Sequence, residues 1–398
     1  MWLGLLLACA PQGAMGDPFT GALTWEDAWP REDAAASLFG LERVVAVDLS
    51  LHEGAREALE ADPYDYVHAN LAVDGAALGE VGLRLKGRSG SFRELDGKPS
   101  FKLDLDRYQA DVSWAGLRKI DLDNLVVDCA AARDRLALRA FAAVGQPASR
   151  AGYARLSLDG EDFGLYGLLE NLDQPFLTLR YPEPDGNLYD GDYVIDGDFE
   201  SQVDFVAGLQ ELFELDEGRD VELADVRAVT AALDGGETAF GAPAQVLDWP
   251  RIARMLAVEA WVGQVDGYTL QANNYRVYFD PVTGRAELLP WDLDFTFTPA
   301  DEWDSDWRAP MGRIADTCFT DEACLAGYLA VLDRVAALLD AAGLAAELDA
   351  VDALVRPELA SDPRWECTLE EHDAEMAWLR DWIAGVSDEQ RGLWAMLE

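Results

Sequence analysis

The sequence contains little lysine, histidine or cysteine. Its 398 residues include four lysines, five cysteines and three histidines, which are His52, His68 and His372. The histidines are scattered and no Cys-x-x-Cys motif occurs, so zinc sites and histidine-based triads are poorly supported. After the N-terminus, no apolar stretch reaches the roughly 18 residues that a membrane-spanning helix needs.

Positive charge is also scarce. Lys and Arg number 31 against 75 Asp and Glu, which gives a formal net charge of −44. Such a surface repels nucleic acid and anionic lipid, so we expect cationic proteins, metal ions or small anions in a positive pocket as partners. The acidity as a whole is explained by solubility or a salty habitat. Half of the residues are apolar, which predicts a globular chain long enough for two lobes.

The N-terminus predicts export. An apolar run ending in Leu-Leu-Ala-Cys9 resembles the lipobox of bacterial lipoproteins. We therefore expect a signal over residues 1–9, a tether over 10–40, and a lipid at Cys9 as the only membrane contact. The protein is then exported and lipid-anchored to the bacterial cell envelope or surface.

The four remaining cysteines suit an oxidising compartment and up to two disulfides. Three pairings of Cys129, Cys318, Cys324 and Cys367 are possible. The short loop between Cys318 and Cys324 makes this pair the first expectation.

The chain changes character near residue 175. Alternating or short apolar segments predict a strand-rich part over 41–175, with one helix near 130–143. Residues 176–398 predict helices near 201–215, 222–233, 248–265 and from about 321 onward. They also contain a hairpin, 275–279 with 285–289. We predict an α+β fold of two lobes, with a metal site in the second.

Polar residues surround the ends of this hairpin. Asn273 and Asn274 begin its first strand, while Asp292 and Asp294 follow its second, and Asp266 follows the preceding helix. Because a hairpin brings its open ends together, these side chains are expected to converge. Oxygen donors without His or Cys suit Mg²⁺ or Mn²⁺, as in phosphoryl transfer. The alternative is that they are turn caps and surface carboxylates of a very acidic protein.

All four lysines lie between residues 86 and 119. Lys86 and Lys102 belong to alternating strands on either side of a Gly/Ser loop that contains Ser89. Such a loop with strand cations suits phosphate binding, although neither a P-loop nor a Gly-x-Gly-x-x-Gly motif is present. On these residues alone, an exposed hairpin is favoured over a phosphate site. The acidic stretch 185–198 lacks the EF-hand pattern and is favoured as a loop over a calcium site.

Taken in order, these segments resemble the CotH family, an atypical secreted protein-kinase lineage named for a spore-coat protein. The resemblance extends over about residues 43–390, and Pro290-Trp291-Asp292-Leu293-Asp294 after Asn274-Tyr275 is its strongest part. The other matching segments are 84–93, 97–103, Leu122-Asp123-Asn124 with Asp128 and Arg133, 145–150, 163–170 and 186–189.

The resemblance implies a bilobal atypical kinase fold and ATP- and metal-dependent phosphorylation of protein Ser or Thr. It implies that Asp292 is the main metal ligand, helped by Asn274 or Asn273, and that Asp266 activates the acceptor hydroxyl. Asp294 then binds a second ion or anchors the loop. Lys102 or Lys86 contacts phosphate, and Glu170 is its possible partner.

Two departures from the family pattern are Cys129-Ala130 after Asp128 and the loop sequence Ser89-Gly90-Ser91. The expected substrate is an exported protein, conjecturally basic and Ser-rich. The competing hypothesis is a catalytically degenerate CotH-fold protein with a binding or structural role at the cell surface.

Overall fold

The computed structural model describes residues 33–394, except residues 89, 197–198 and 237. The structure is mixed α+β, with most strands before most helices, as the sequence predicts. Cys9, Ser89, the predicted signal and most of the predicted tether lie outside the described residues.

Residues 45–170 of the described chain contain a closed barrel of seven strands. The strands are β1 (Val45–Leu51), β2 (Val67–Val73), β3 (Ala76–Lys86), β4 (Ser100–Asp104), β5 (Lys119–Asp123), β6 (Ala151–Leu158) and β7 (Glu161–Glu170). Their order is β1-β2-β3-β4-β5-β7-β6, and the pair that closes the barrel, β1 with β6, is parallel. Apolar residues alternate along β1, so Val45, Val47 and Leu49 fill the interior. Two helices accompany the barrel, α1 (Ala55–Ala61) and α2 (Arg133–Ala143).

The rest of the described chain combines short strands with helices. The strands are β8 (Asn187–Gly191), β9 (Tyr193–Asp196), β10 (Phe199–Gln202), β11 (Phe213–Glu217), β12 (Tyr275–Asp280) and β13 (Arg285–Pro290). β9 pairs with β10, and the others form a sheet in the order β11-β8-β12-β13. The helices are α3 (Gln174–Arg180), α4 (Ala224–Gly235), α5 (Pro243–Val246), α6 (Trp249–Val262), α7 (Tyr268–Gln271), α8 (Arg313–Phe319), α9 (Glu322–Ala341), α10 (Leu344–Leu359) and α11 (Leu369–Trp394). Within the described residues, no helix is both long enough and apolar enough to cross a membrane.

The barrel interior forms one hydrophobic core, and helix α6 belongs to a second core that it shares with the C-terminal helices. The Asp248 side chain caps its first turn by accepting a hydrogen bond from the Arg251 N–H, and Pro250 occupies the start of the helix. Gly263 ends the helix with φ +58°, a left-handed conformation that favours glycine. Almost every side chain of α6 is buried. Asp266 follows shortly after the end of this helix, so the buried helix fixes its position.

One predicted helix, near 201–215, is wrong. This region contains the end of β10, a 3₁₀ turn at Gln210–Leu212 and β11. β11 pairs with β8, with Leu215 opposite Tyr189, and Gly208 has φ +89°. Strand pairing therefore overrides the helical spacing of the apolar residues. The other predicted helices and strands named above are present within a few residues.

Residues 33–40, which the sequence analysis placed in the tether, pack against the barrel. Asp33 forms an ion pair with Arg150 at 2.7 Å, and Leu38 and Phe39 are buried. The Leu38 carbonyl lies so close to Gly152 that a Cβ there would be 2.3 Å from it. The folded part therefore begins before residue 41.

Two disulfides connect the four remaining cysteines. The predicted Cys318–Cys324 bond is confirmed, and it joins α8 to α9. The other, Cys129–Cys367, spans 238 residues and ties the segment before α2 to the segment before α11.

Candidate active site

The β12–β13 hairpin brings its two polar ends together. Tyr275 pairs with Pro290, and the Trp291 N–H donates to the Asn274 carbonyl at 3.1 Å. Asn274 and Asp292 both have positive φ, 52° and 50°, which turns the chain sharply at each open end. The two open ends of the hairpin therefore lie side by side, as expected, and Asp292 lies near enough to Asp266 for its charge to act on it.

Two amides hold the Asp266 carboxylate. Asn273 Nδ2 donates to one oxygen at 3.0 Å, and Asn274 Nδ2 donates to the other at 2.9 Å. Burial raises the pKa of Asp266 to about 6, the two amides oppose the rise, and the charge of Asp292 adds to it. Because each amide turns its nitrogen to Asp266, its oxygen points elsewhere. The Asn273 Oδ1 atom is buried and has no hydrogen-bond partner among the described residues.

Five carboxylates lie close enough for their charges to act on one another, and we call them the carboxylate cluster: Asp123, Asp134, Asp266, Asp292 and Asp294. Burial, together with the charges of Asp292 and Asp134, raises the pKa of Asp294 well above its usual range. Burial and the charges of Asp123 and Asp292 also raise the pKa of Asp134 well above its usual range. One oxygen of Asp294 is buried and finds no hydrogen-bond partner in the part of the chain that the structure describes. The cluster therefore has excess negative charge that a cation would relieve.

Lys86, at the end of β3, faces the carboxylate cluster. Its Nζ lies 3.4 Å from Asp123 and 3.7 Å from Asp121, and 5.9 Å from the centre of the Trp291 ring. Burial would lower the pKa of Lys86, but Asp121, Asp123 and Asp292 outweigh it and raise the pKa. The enclosed space between Lys86, Asp134 and Asp292 is about 10 Å³, the room of one water molecule.

Lys102 lies on the same outer face of the barrel, because it pairs with Arg84 on β3 and with Asp121 on β5. It forms no hydrogen bond or ion pair with the described residues, and burial lowers its pKa. Arg276 on β12 faces it and binds Asp190 at 2.8 Å. Lys86, Lys102 and Arg276 thus form a cationic row beside the carboxylate cluster.

Glu170 does not pair with a lysine, contrary to expectation. It binds Arg150 at 2.8 Å and Arg180 at 2.6 Å, with all three side chains buried. Burial would raise the pKa of Glu170, but Arg180 and Arg150 outweigh it and lower the pKa. The expectation was wrong because the sequence does not show that Arg150 and Arg180 both reach Glu170, the last residue of β7. Lys98 is not available to the site either, because its ammonium group forms a buried ion pair with Asp362.

Asp134 and Arg276 are two further site residues that the sequence did not predict. Asp134 lies in the first turn of α2 and accepts a hydrogen bond from the Leu293 N–H at 3.0 Å, so it fixes the segment between Asp292 and Asp294. Its signal was a carboxylate one residue after the family-matched Arg133. Arg276 was hidden inside an apolar strand. In the acidic stretch 185–198, Asp190 binds Arg276 and Gln202.

Comparisons with known proteins identify the family of this chain. The family model described as "CotH kinase protein" matches residues 83–386, and the chain belongs to this family. Inner spore coat protein H of Bacillus subtilis (strain 168) is 27% identical over 198 residues, which are 46% of this chain and 51% of that protein. The match thus spans about half the length of that relative. A HipA–HipB–operator DNA complex of Shewanella oneidensis MR-1 aligns with 85% of this chain and 79% of its own, with 12% identity and a TM-score of 0.35.

Proposed function

We propose that this chain is an ATP- and Mg²⁺- or Mn²⁺-dependent protein kinase with a bilobal atypical kinase fold. The observation that carries the proposal is the carboxylate cluster, which gathers oxygen donors from four separate parts of the chain beside Lys86. Membership of the CotH kinase family supports the same assignment.

The donor set fits a hard divalent cation. It consists of carboxylate and amide oxygens, and two of these, Asn273 Oδ1 and Asp294 Oδ1, are buried without a partner. Asp292 and Asn274 or Asn273 would hold the main ion, and Asp294 would hold a second ion or anchor the loop. When bound with ATP, such an ion neutralises charge on the phosphates. Relief of the repulsion within the cluster favours its binding.

Asp266 is the proposed acceptor-activating base. With a pKa of about 6, its carboxylate is mostly ionised at neutral pH and able to accept a proton from a Ser or Thr hydroxyl. Asn273 and Asn274 fix both of its oxygens, so the carboxylate is positioned before the substrate arrives. It is also partly exposed, which leaves a side open to the acceptor.

The cationic row is the proposed phosphate contact. Lys86 is the better placed of the two candidate lysines because Asp123 and Asp292 both act on it. Lys102 and Arg276 extend the positive potential along the same face. With only about 10 Å³ of free space beside Asp292, a nucleotide can occupy this position only if the surrounding side chains move.

The proposed substrate is an exported or surface protein with Ser or Thr acceptors. We expect it to be basic because the net charge of this chain is −44. Both disulfides suit an oxidising compartment, and the curated relative is named as a spore coat protein. Export with lipidation at Cys9 remains part of the proposal. Labelling with a radioactive fatty acid, lost in Cys9→Ser, tests the anchor.

The test of activity is phosphate transfer from labelled ATP with Mn²⁺ or Mg²⁺, to the chain itself and to basic and acidic Ser-containing peptides. We expect transfer by the wild type and none by Asp292→Asn or Asp266→Asn. Asp65→Asn removes a charge from an exposed position outside the site and should remain fully active. Equal transfer to both peptides would remove the basis for a basic substrate.

The second candidate is a catalytically degenerate binding or structural protein on the same fold. It is favoured by the contacts of Lys86 with Asp121 and Asp123 and by the small space beside Asp292. Calorimetric titration with ATP separates the two. Absence of ATP binding with every metal would support the degenerate protein and reject the kinase.

A further inference from the structure

Two of the three histidines meet on the outer face of the barrel, far along β3 from Lys86. His52 follows β1, His68 lies on β2 and Glu80 lies on β3. The strand pairing causes the meeting, since the His52 N–H donates to the His68 carbonyl and Asn70 on β2 pairs with Glu80. His68 and Glu80 are therefore diagonal neighbours on one face. In the sequence, 16 and 12 residues separate these positions and conceal the cluster.

The ligand atoms of this cluster converge on one point. His68 Nδ1 lies 2.5 Å from Glu80 Oε1, and His52 Nδ1 lies 3.6 Å from the same oxygen. One ligand atom from each residue lies within 4.8 Å of the other two, and within the described chain no other His, Cys, Asp and Glu set does this. Two ligands of a tetrahedral zinc ion lie about 3.3 Å apart, given bonds of about 2.0–2.1 Å.

Neighbouring rings fix the orientation of the imidazoles. The His68 ring stacks on Tyr108 with 3.6 Å between ring centres and 8° between planes. The His52 ring stacks on His68 with 5.6 Å between ring centres. The Tyr108 hydroxyl donates to the Tyr66 carbonyl, so the stacking platform is itself held. Such support lowers the ordering cost of forming a metal site.

We propose that His52, His68 and Glu80 bind a zinc ion, with water completing the coordination. Two imidazoles and one carboxylate are ligands of zinc-type ions rather than of Mg²⁺ or Ca²⁺. The side chains are 33–49% exposed, so the ion has access from solvent and a coordination position remains open. The site would join β1, β2 and β3 at their outer face, and it does not depend on the proposed kinase activity.

A hydrogen bond between His68 and Glu80 explains their own contact, but it does not explain His52. At 3.6 Å from Glu80 Oε1, His52 is beyond hydrogen-bond distance, and its ring nevertheless directs Nδ1 to that oxygen. This difference provides a discriminating variant. His52→Ala preserves the His68–Glu80 hydrogen bond while removing one of three proposed ligands.

The test is calorimetric titration of the metal-free protein with Zn²⁺, in excess Mg²⁺ and at physiological ionic strength to mask the acidic surface. We expect one zinc ion per chain and a higher melting temperature with Zn²⁺. His52→Ala and Glu80→Gln should each weaken binding by about 100-fold, since each removes a protein ligand. His52→Ala should leave the metal-free melting temperature unchanged.

Two controls separate this site from others. Glu60→Gln removes an exposed carboxylate from α1 and should bind zinc as the wild type does. Asp292→Asn disables the proposed kinase site and should also retain zinc binding, so failure of one proposal is distinguishable from failure of the other. Zinc binding that is equal in the wild type, His52→Ala and Glu80→Gln would overturn the proposal, as would no binding.

Discussion

Lys98 and Asp362 form an ion pair with 2.7 Å between Nζ and Oδ2, and both side chains are fully buried. The pair connects the loop before β4 with the segment between α10 and α11, 264 residues later. Asp362 also accepts a hydrogen bond from the Leu165 N–H of β7 at 2.8 Å. One of the four clustered lysines therefore connects the barrel to the C-terminal helices and is not available to a ligand.

Lys98→Met is expected to lower the free energy of unfolding by about 3–5 kcal/mol, because it leaves the buried charge of Asp362 without its partner. Urea denaturation measures this change. Arg43→Gln is the matched control, since it breaks an ion pair of the same 2.7 Å length whose side chains are 44% exposed. That variant should lose less than about 1 kcal/mol. Equal losses in the two variants would contradict the assigned role of Lys98.

The hairpin part of the site was predictable because its geometry is local. Residues 275–279 and 285–289 alternate and are joined by a short turn, so Asn274 and Asp292 had to meet at its open end. The preceding helix ends at a glycine, which places Asp266 next to the same end. Short-range rules were sufficient for these three residues.

The long-range partners were not predictable from one sequence. Lys86, Lys98 and Lys102 lie close together in the sequence, yet one faces the carboxylate cluster, one binds Asp362 and one forms no pair among the described residues. Their environments depend on the register of β3 with β4 and on a helix connection more than 260 residues away. The same applies to His52 and His68, which meet only through the β1–β2 pairing.

Asp294→Asn is expected to stabilise the metal-free protein, because burial and the neighbouring carboxylates oppose the ionisation of Asp294, and an amide has no charge to lose. The gain in the free energy of unfolding should be about 1 kcal/mol or more in the presence of a chelator. With Mn²⁺ and ATP, the variant should gain less stability from the ligands than the wild type does. Denaturation with and without Mn²⁺ and ATP measures both effects, with Asp65→Asn as the control. A loss of stability under every condition would mean that Asp294 is structural.

Lys86→Met is expected to weaken ATP binding by about tenfold to 100-fold, the range for losing one charge-assisted contact to phosphate. Lys102→Met should have a smaller effect, because the pKa of Lys102 is lowered by burial and its charge is less firmly held. Titration calorimetry in Mg²⁺ provides the affinities. Lys119→Met, at the opposite end of β5 from Asp123, is the control and should bind ATP normally. A stronger effect of Lys102→Met than of Lys86→Met would reverse the assignment.

Glu259, buried in α6, is expected to make the protein less stable as pH rises from about 4.5 to about 7. Burial raises its pKa to about 7, although Thr269 and the Tyr268 N–H donate to it. The folded state therefore holds a proton that the unfolded state releases in this window, and about 3 kcal/mol of stability is lost across it. Denaturation at several pH values measures the effect. The free energy of unfolding of Glu259→Gln should vary less with pH than that of the wild type, because Gln cannot ionise, even if the variant is less stable at every pH. Glu57→Gln is the control, at an exposed position of α1, and its stability should depend on pH as that of the wild type does. A wild-type pH dependence in Glu259→Gln would contradict the prediction.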